Sequence, residues 1–342
     1  GLGDVYKRQI ANNPGEFPVI NSGKDPLGYF GEFNVNDDPI GIASRGSVGL
    51  VTWTPGRYFR GNLNYSCTVA DPAVLDRRFL YYYLLKSDKE IQALATHQGI
   101  PALNASNLRL LRVPVPPLEV QREIVRVLDN FTQLEAELEA ELEARRQQYK
   151  YYQETLLTPT GKSYRTASLG ELFELRAGKF IPATLITSER DAEHPIPCFG
   201  GGGLRGYVAS HNQHGDLVLI GRQGALCGNV KRASGKFYAT EHAVVVSPKS
   251  AVDIRWAFHL LSHMNLNQYA SKSAQPGLSV NMLKQLGVSV PPLPVQVATA
   301  SILDKFDSLV NDLSVGLPAE LAARRKQYEY YRDRLLTFEE KR

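Results

Sequence analysis

Apolar residues along this chain follow two rules that alternate twice. In the first stretch, short β-branched and aromatic runs such as Ile40 to Val51 stand between Gly, Asn and Pro, the pattern of brief strands joined by turns. Residues Asp76 to Leu94 then place Phe79, Tyr82 and Tyr83 at helical spacing, which predicts a helix with a core-facing side. The same order returns later, with a strand at Leu217 to Ile220 and a helix over Ile254 to Ala270 carrying Trp256, Leu260 and Leu261. These aromatics read as core rather than as stacking platforms, because they share one helix face.

The second rule begins after Pro116-Pro117 and again after Pro291-Pro292, where Gly and turn residues vanish and a long helical pattern opens behind a proline. In the first copy Leu128, Phe131, Leu134, Leu138, Leu142, Arg145, Tyr149, Tyr152 and Leu156 step by three or four. The second copy repeats this with Leu303, Phe306, Leu309, Leu313, Leu317, Arg324, Tyr328, Tyr331 and Leu335, except that Gly316 and Pro318 should bend or break it. About 40 helical residues reach about 60 Å. Neither stripe can be buried alone, so the two are expected to pair antiparallel, leaving a rod with a globule at each end.

The alternation reflects an internal repeat. Val113-Pro-Val-Pro-Pro-Leu118 recurs as Val288-Ser-Val-Pro-Pro-Leu293, with Gln121 and Gln296 three residues further on in each copy. Leu128, Asp129 and Phe131 keep that register to Leu303, Asp304 and Phe306. It then slips by four residues, near Gly316 to Glu320, before Arg145-Arg-x-Gln-Tyr-x-Tyr-Tyr meets Arg324-Arg-x-Gln-Tyr-x-Tyr-Tyr. If helical, four residues add ~6 Å, about two base pairs of duplex. The resulting fold class is α+β: two tandem mixed α/β domains separated by two long antiparallel coiled-coil helices. The boundaries are 1–116 and 159–291 for the globules, 117–158 and 292–337 for the helices, and 338–342 for a tail.

Composition changes this picture little. The 342 residues, 43% hydrophobic and 22% charged, suit an ordinary globular protein of about two domains. Cys67, Cys198 and Cys227 form no C-x-x-C pair, which argues against a disulfide framework or zinc ribbon and fits a cytoplasmic protein. The sequence contains no apolar run long enough for a membrane span. Net charge is only +4, but acidic helix residues from Glu135 to Glu143 offset basic residues in the globules, so a near-neutral total can conceal a nucleic-acid surface.

Catalytic constellations fail one at a time. Gly201-Gly-Gly-Leu-Arg-Gly206 has the letters of G-x-G-x-x-G, but no amphipathic helix follows to receive a pyrophosphate. Gly161-Lys162-Ser163 lacks the first glycine of a Walker A motif. His259 and His263 are spaced like zincin ligands, but Leu260 stands where the glutamate is needed, and no metal site is assigned. Asp37-Asp38-Pro39-Ile40 lacks the second proline and the aromatic of an amino-methyltransferase site. No cofactor is expected.

Binding chemistry fares better. Arg45 and Ser47 in one half, and Arg222 and Gln223 in the other, stand beside glycines after short strands, where a backbone can approach a partner closely. Arg can be bidentate to guanine and Gln or Asn to adenine. Arg57, Arg60, Arg205, Lys231, Arg232 and Lys236 are further candidates, as are Asn104, Asn107 and Arg109 in the first half and Ser279, Asn281 and Lys284 in the second. For a single side chain, a solvated strand-end turn is as good a reading as a DNA contact. Occurrence at matching places in both halves favours the loops.

The tandem plan, the V-P-V-P-P-L-x-x-Q helix entry and Ala323-Arg-Arg-Lys-Gln-Tyr-Glu-Tyr-Tyr-Arg-Asp-Arg-Leu-Leu-Thr337 resemble the specificity subunits of type I restriction-modification systems over nearly the whole chain. The resemblance implies two target recognition domains reading a bipartite site in double-stranded DNA, and helices that dock methyltransferase subunits, expected as two. It also implies restriction subunits reached through the complex, and catalysis left to those partners. Twelve residues missing from the first half, and the lack of an initiator Met, predict a chain truncated at its N-terminus. A non-catalytic protein-binding scaffold with a structural rod stays open, and a free-standing nuclease or methyltransferase is disfavoured by the failed motifs.

Overall fold

The computed structural model describes residues 2–96, 99–158, 164–249, 251–271 and 276–338. The chain divides into one unit formed by Gly1–Glu139 and Leu321–Arg342, and a second formed by Ala140–Glu320.

In the first unit α1 (Leu2–Asn12) precedes β1 (Pro14–Ile20), β2 (Tyr29–Phe30), β3 (Ile40–Ala43), β4 (Val51–Trp53), β5 (Phe59–Arg60) and β6 (Asn64–Ser66). After the strands come α2 (Arg77–Lys86), α3 (Asp88–Ala93), α4 (Ala105–Leu108) and the long α5 (Leu118–Leu157), whose residues beyond Glu139 belong to the second unit. Two three-stranded sheets result, ordered β2-β1-β5 and β4-β3-β6. The helix predicted over Asp76 to Leu94 is two helices, parted at Ser87. Asp76 starts the first by accepting the N–H groups of Arg78 and Phe79 at 2.8 and 3.0 Å. Phe79 and Tyr82 are buried in the core, as their spacing predicts.

The second unit follows the same plan with additions. Its elements are β7 (Arg165–Ser168), α6 (Leu169–Leu172), β8 (Phe173–Ala177), β9 (Ile196–Gly200), β10 (Gly203–Val208), β11 (Gln213–His214) and β12 (Leu217–Gly221). Then come β13 (Val230–Ala233), β14 (Lys236–Ala239), β15 (Ala243–Pro248), α7 (Ile254–His263), α8 (Val280–Gln285), β16 (Gly287–Val290), α9 (Leu293–Asn311) and α10 (Leu317–Leu335), whose residues from Leu321 on belong to the first unit. The sheet orders are β13-β12-β15-β8, β10-β9-β14-β11 and β16-β7.

Register shows the repeat in three dimensions. Ile42 opposes Val51 and Tyr65 as Ile220 opposes Val230 and Val244. The parallel pair Val19 with Phe59 matches Cys198 with Tyr238. The units differ where the sequence comparison leaves the first half short. Leu169 opens α6 and leads into β8 on the edge of β15, whereas Leu2–Asn12 is helical and β6 ends its sheet.

The helix predicted over Ile254 to Ala270 stops at His263, because Asn265 takes a left-handed conformation with φ 46°. Asp253 caps it as Asp76 caps α2. Trp256, Leu260 and Leu261 are buried in the second unit's core, together with Leu175, Val218, Ile220, Val244 and Val246.

The long helices pair antiparallel within each unit. In the first, Phe131 of α5 meets Tyr328 and Tyr331 of α10, and Glu135 and Glu139 accept Arg325. In the second, Tyr149 and Tyr152 of α5 pack on Phe306 of α9.

Two expectations about these helices are corrected. Leu134 is 46% exposed, because the strict three-four alternation from Phe131 runs through Glu135 to Leu138 and Leu142. Leu313 is 83% exposed, because α9 ends at Asn311 and the chain turns over residues 312–316, as Gly316 and Pro318 foretold. Asp312 organises that turn by accepting the N–H and hydroxyl of Ser314 at 2.7 and 2.6 Å. A Cβ on Gly316 would lie 2.4 Å from the Ser308 carbonyl oxygen. The four extra residues of the second copy fall at this joint and the first turn of α10, where the first copy runs on as one unbroken helix.

Candidate nucleic-acid interface

Each unit builds the same loop where its central strand ends. In the first, the Ser44 N–H donates to Leu63 O at 2.8 Å, the Leu103 N–H donates to Ser44 O at 2.8 Å, and Arg45 bridges Ala102. In the second, the Arg222 N–H donates to His242 O at 2.9 Å, the Leu278 N–H donates to Arg222 O at 2.8 Å, and Gln223 bridges Gly277. Gly46 and Gly224 follow at φ 75° and 81°, a conformation that favours glycine. Each loop closes where the Gly49 N–H reaches Ala43 O at 2.8 Å, or the Gly228 N–H reaches Gly221 O at 2.7 Å.

The two arginines that open these loops in the sequence are therefore not equivalents. Arg45 corresponds to Gln223, and Ser44 to Arg222. Arg45 and Gln223 are exposed, while the Arg222 side chain is half-buried. Beside each loop a short helix begins at Asn104 or Ser279, both exposed and neither spending its side chain on a cap hydrogen bond. Ser47, Arg109, Asn281 and Lys284 are exposed around them. Asn107 is committed inward, donating to Leu94 O at 3.0 Å.

Among the other cations, Arg205, Lys231 and Lys236 are exposed on β10, β13 and β14. Arg57 is exposed but leans on Asn36 at 3.2 Å and on the Phe33 ring. Arg60 is bound within its unit, donating to Asp38 O at 2.8 Å and pairing with the Asp38 carboxylate and the Tyr58 hydroxyl. That carboxylate also accepts Ser66 and Thr68, so the Asp37-Asp38-Pro39 segment is a structural knot. Arg232 pairs with Asp304 at 3.4 Å and lies over Phe258.

In the second unit the loop borders a cleft of about 610 Å³, lined by Gly200 to Arg205, Gln223 to Leu226 and His242. Gly201 and Gly221 serve close packing. A Cβ on Gly221 would stand 2.1 Å from Gly201 O, and one on Gly201 would stand 3.1 Å from His242 O. The G-x-G-x-x-G letters thus form a hairpin tip between β9 and β10, with strand rather than helix after it. Leu204 and Leu226 are largely exposed at its rim.

A second constellation, one the sequence reading missed, fixes each globule to its long helix. Asp129 accepts Arg78 at 2.8 Å and the Tyr82 hydroxyl at 2.5 Å. Asp304 accepts Arg255 at 3.5 Å and His259 Nε2 at 2.9 Å. Burial and the Asp129 hydrogen bond hold the Tyr82 phenol well above its ordinary pKa. Burial drives the His259 pKa down, against the opposing pull of Asp304. His259 is thus a core residue, and His263 lies 3.3 Å from the Thr158 hydroxyl. Among the described residues no group of three or more His, Cys, Asp or Glu side chains could hold a metal. Gly161-Lys162-Ser163 lies outside the described residues. The signal for this constellation was the four-residue step from Arg78 to Tyr82, repeated from Arg255 to His259, with Asp129 and Asp304 at matching places of the two long helices.

Each unit thus carries the same plan of sheets, capped helix and long helix, and one domain family accounts for both copies. The type I restriction modification DNA specificity domain matches residues 3–144 and again 162–323. The chain belongs to that family. It is 45% identical over 252 residues to the EcoprrI type I restriction enzyme specificity subunit of Escherichia coli, covering 70% of this chain and 63% of that protein. It is 30% identical over 364 residues to a Haemophilus influenzae protein named as a type I specificity subunit, covering 96% and 92%. The crystal structure of the type I restriction-modification S subunit from M. genitalium shares the fold at a TM-score of 0.70, with 20% identity over 96% of this chain and 90% of that one. Among the described residues no helix is long and apolar enough to cross a membrane.

Proposed function

We propose that this chain is the DNA-specificity component of a type I restriction-modification complex in the cytoplasm. Each unit reads one part of a bipartite site in double-stranded DNA, and the long helices carry two methyltransferase subunits, through which restriction subunits join. The chain itself catalyses nothing; methyl transfer and cleavage belong to its partners. The observation that carries this reading is the duplicated loop, in which Arg45 beside Asn104 and Gln223 beside Ser279 present hydrogen-bonding side chains on the same backbone frame.

Exposed Arg109, Arg205, Lys231, Lys236 and Lys284 supply phosphate contacts, which position a duplex without reading it. Such contacts make affinity fall steeply with salt. The test is DNA binding by the chain reconstituted with a type I methyltransferase, on specific and scrambled duplexes across a salt series. The reading predicts several kcal/mol of discrimination, typically about 4–10, and a steep salt slope. Weak, sequence-blind binding with a shallow slope would instead mark a scaffold.

A further inference from the structure

In the second unit three side chains form a line that ends in the cleft. Glu241 Oε1 lies 3.2 Å from His242 Nε2, and His242 Nδ1 lies 2.6 Å from Gln223 Oε1. An amide oxygen only accepts, so the hydrogen bond runs from His242 Nδ1–H to Gln223 Oε1, with the Glu241 carboxylate beside the ring's other nitrogen. Gln223 is exposed, but its backbone bridges Gly277 and its side-chain oxygen is held by the His242 ring. An amide anchored through one lone pair of its oxygen keeps the other lone pair and both N–H groups for a ligand.

The first unit keeps the backbone frame but none of the three side chains, with Asn62 standing where the second unit has Glu241. Backbone hydrogen bonds make Leu63 the counterpart of His242 and Arg45 the counterpart of Gln223. Leu63 offers no side-chain polar group. An arginine needs no such anchor, because its planar fork has fixed donor geometry, whereas a glutamine amide has to be oriented before it can read an edge.

We infer that His242, held by Glu241, is a positioning residue that orients the Gln223 amide to read an adenine–thymine base pair, and that Arg45 at the equivalent place reads a guanine. The inference rests on the proposed DNA-specificity function and assigns which residues of each unit discriminate. Gln matches adenine because it donates to N7 while accepting from the exocyclic amine, and Arg matches the two acceptors of guanine.

The experiment selects duplexes from a randomised library with the chain in complex with a type I methyltransferase, comparing four variants with the parent. Gln223→Ala should lower the preference for adenine at one position by about tenfold and leave the other half-site unchanged; Arg45→Ala should do the converse for one guanine. His242→Leu, which copies the first unit, should reproduce most of the Gln223→Ala loss. His242→Asn, which keeps an N–H donor near the Nδ1 position, should restore it. Rescue by Asn but not Leu is an effect that simple packing at His242 would not produce. The inference is overturned if Gln223→Ala leaves every base preference intact, if the preferred base is not adenine, or if His242→Leu and His242→Asn behave alike. If the parent complex selects no sequence at all, the DNA-specificity reading itself has failed.

Discussion

Gln296 accepts the backbone N–H of Asp253 at 3.0 Å while its own amide donates to Pro291 O at 2.8 Å. Asp253 is the residue that caps α7, so one buried amide ties the start of the globule's helix to the proline entry of the long helix. Gln121 does the same for Asp76 and Pro116, at 2.8 and 2.7 Å. This is the physical content of the repeated Pro-Pro-Leu-x-x-Gln motif.

Truncating either glutamine leaves a buried N–H and carbonyl without partners, each worth about 1–3 kcal/mol. Gln296→Ala and Gln121→Ala should each destabilise their own unit by about 2–3 kcal/mol. Hydrogen exchange should report faster opening at Asp253 in the first variant and at Asp76 in the second. An unchanged denaturation midpoint in both would show that the motif serves something other than anchoring.

The two leucines assigned to the same seam should behave differently. Leu142 is 7% exposed, and Leu142→Ala should cost about 2–4 kcal/mol through lost burial and the cavity left behind. Leu134 stands outside the seam, and Leu134→Ala should stay within about 0.5 kcal/mol. Chemical denaturation of the two single variants decides between them.

The long helices were legible in the sequence because proline stops and heptad spacing are local signals, and the break at Gly316 could be read for the same reason, whereas the helix expected over Asp76 to Leu94 is parted at Ser87 and the one over Ile254 to Ala270 ends early at His263. The seam was misread at Leu134 because the leucine letter outweighed the register that puts Glu135 there. Arg60 and Arg232 looked like free cations because their partners, Asp38 and Asp304, are remote along the chain. The equivalence of Arg45 with Gln223 was hidden for a related reason: it is set by backbone hydrogen bonds to Leu103 and Leu278, far downstream, and not by matching letters.

His259 makes the second unit sensitive to acid. Above about pH 6.5 the imidazole is neutral in both folded and unfolded chains and adds no pH dependence. As pH falls through the unfolded value, the unfolded chain takes up a proton that burial denies the folded one, so stability declines until the depressed folded pKa is passed. His259→Gln keeps a donor toward Asp304 and does not titrate. Thermal unfolding from pH 7.5 to 5 should show a shallower loss for this variant than for the parent, and equal slopes would contradict the assignment.

Close packing around the glycine hairpin predicts that Gly221→Ala is not tolerated. The added methyl would meet Gly201 O at 2.1 Å and Leu226 O at 2.8 Å. Overpacking of this kind costs about 1–3 kcal/mol and should displace the loop that carries Gln223. In the assembled complex, discrimination at one half-site should fall while the other keeps its preference. Loss at both halves alike would argue against independent units.

The most direct test of the central claim is the sequence selected from random duplex DNA by the complete complex of this chain with a type I methyltransferase. Two short preferred blocks at a fixed separation, one altered by Arg45→Ala and the other by Gln223→Ala, are the predicted result. A single block, or two blocks that respond together to either substitution, would contradict it.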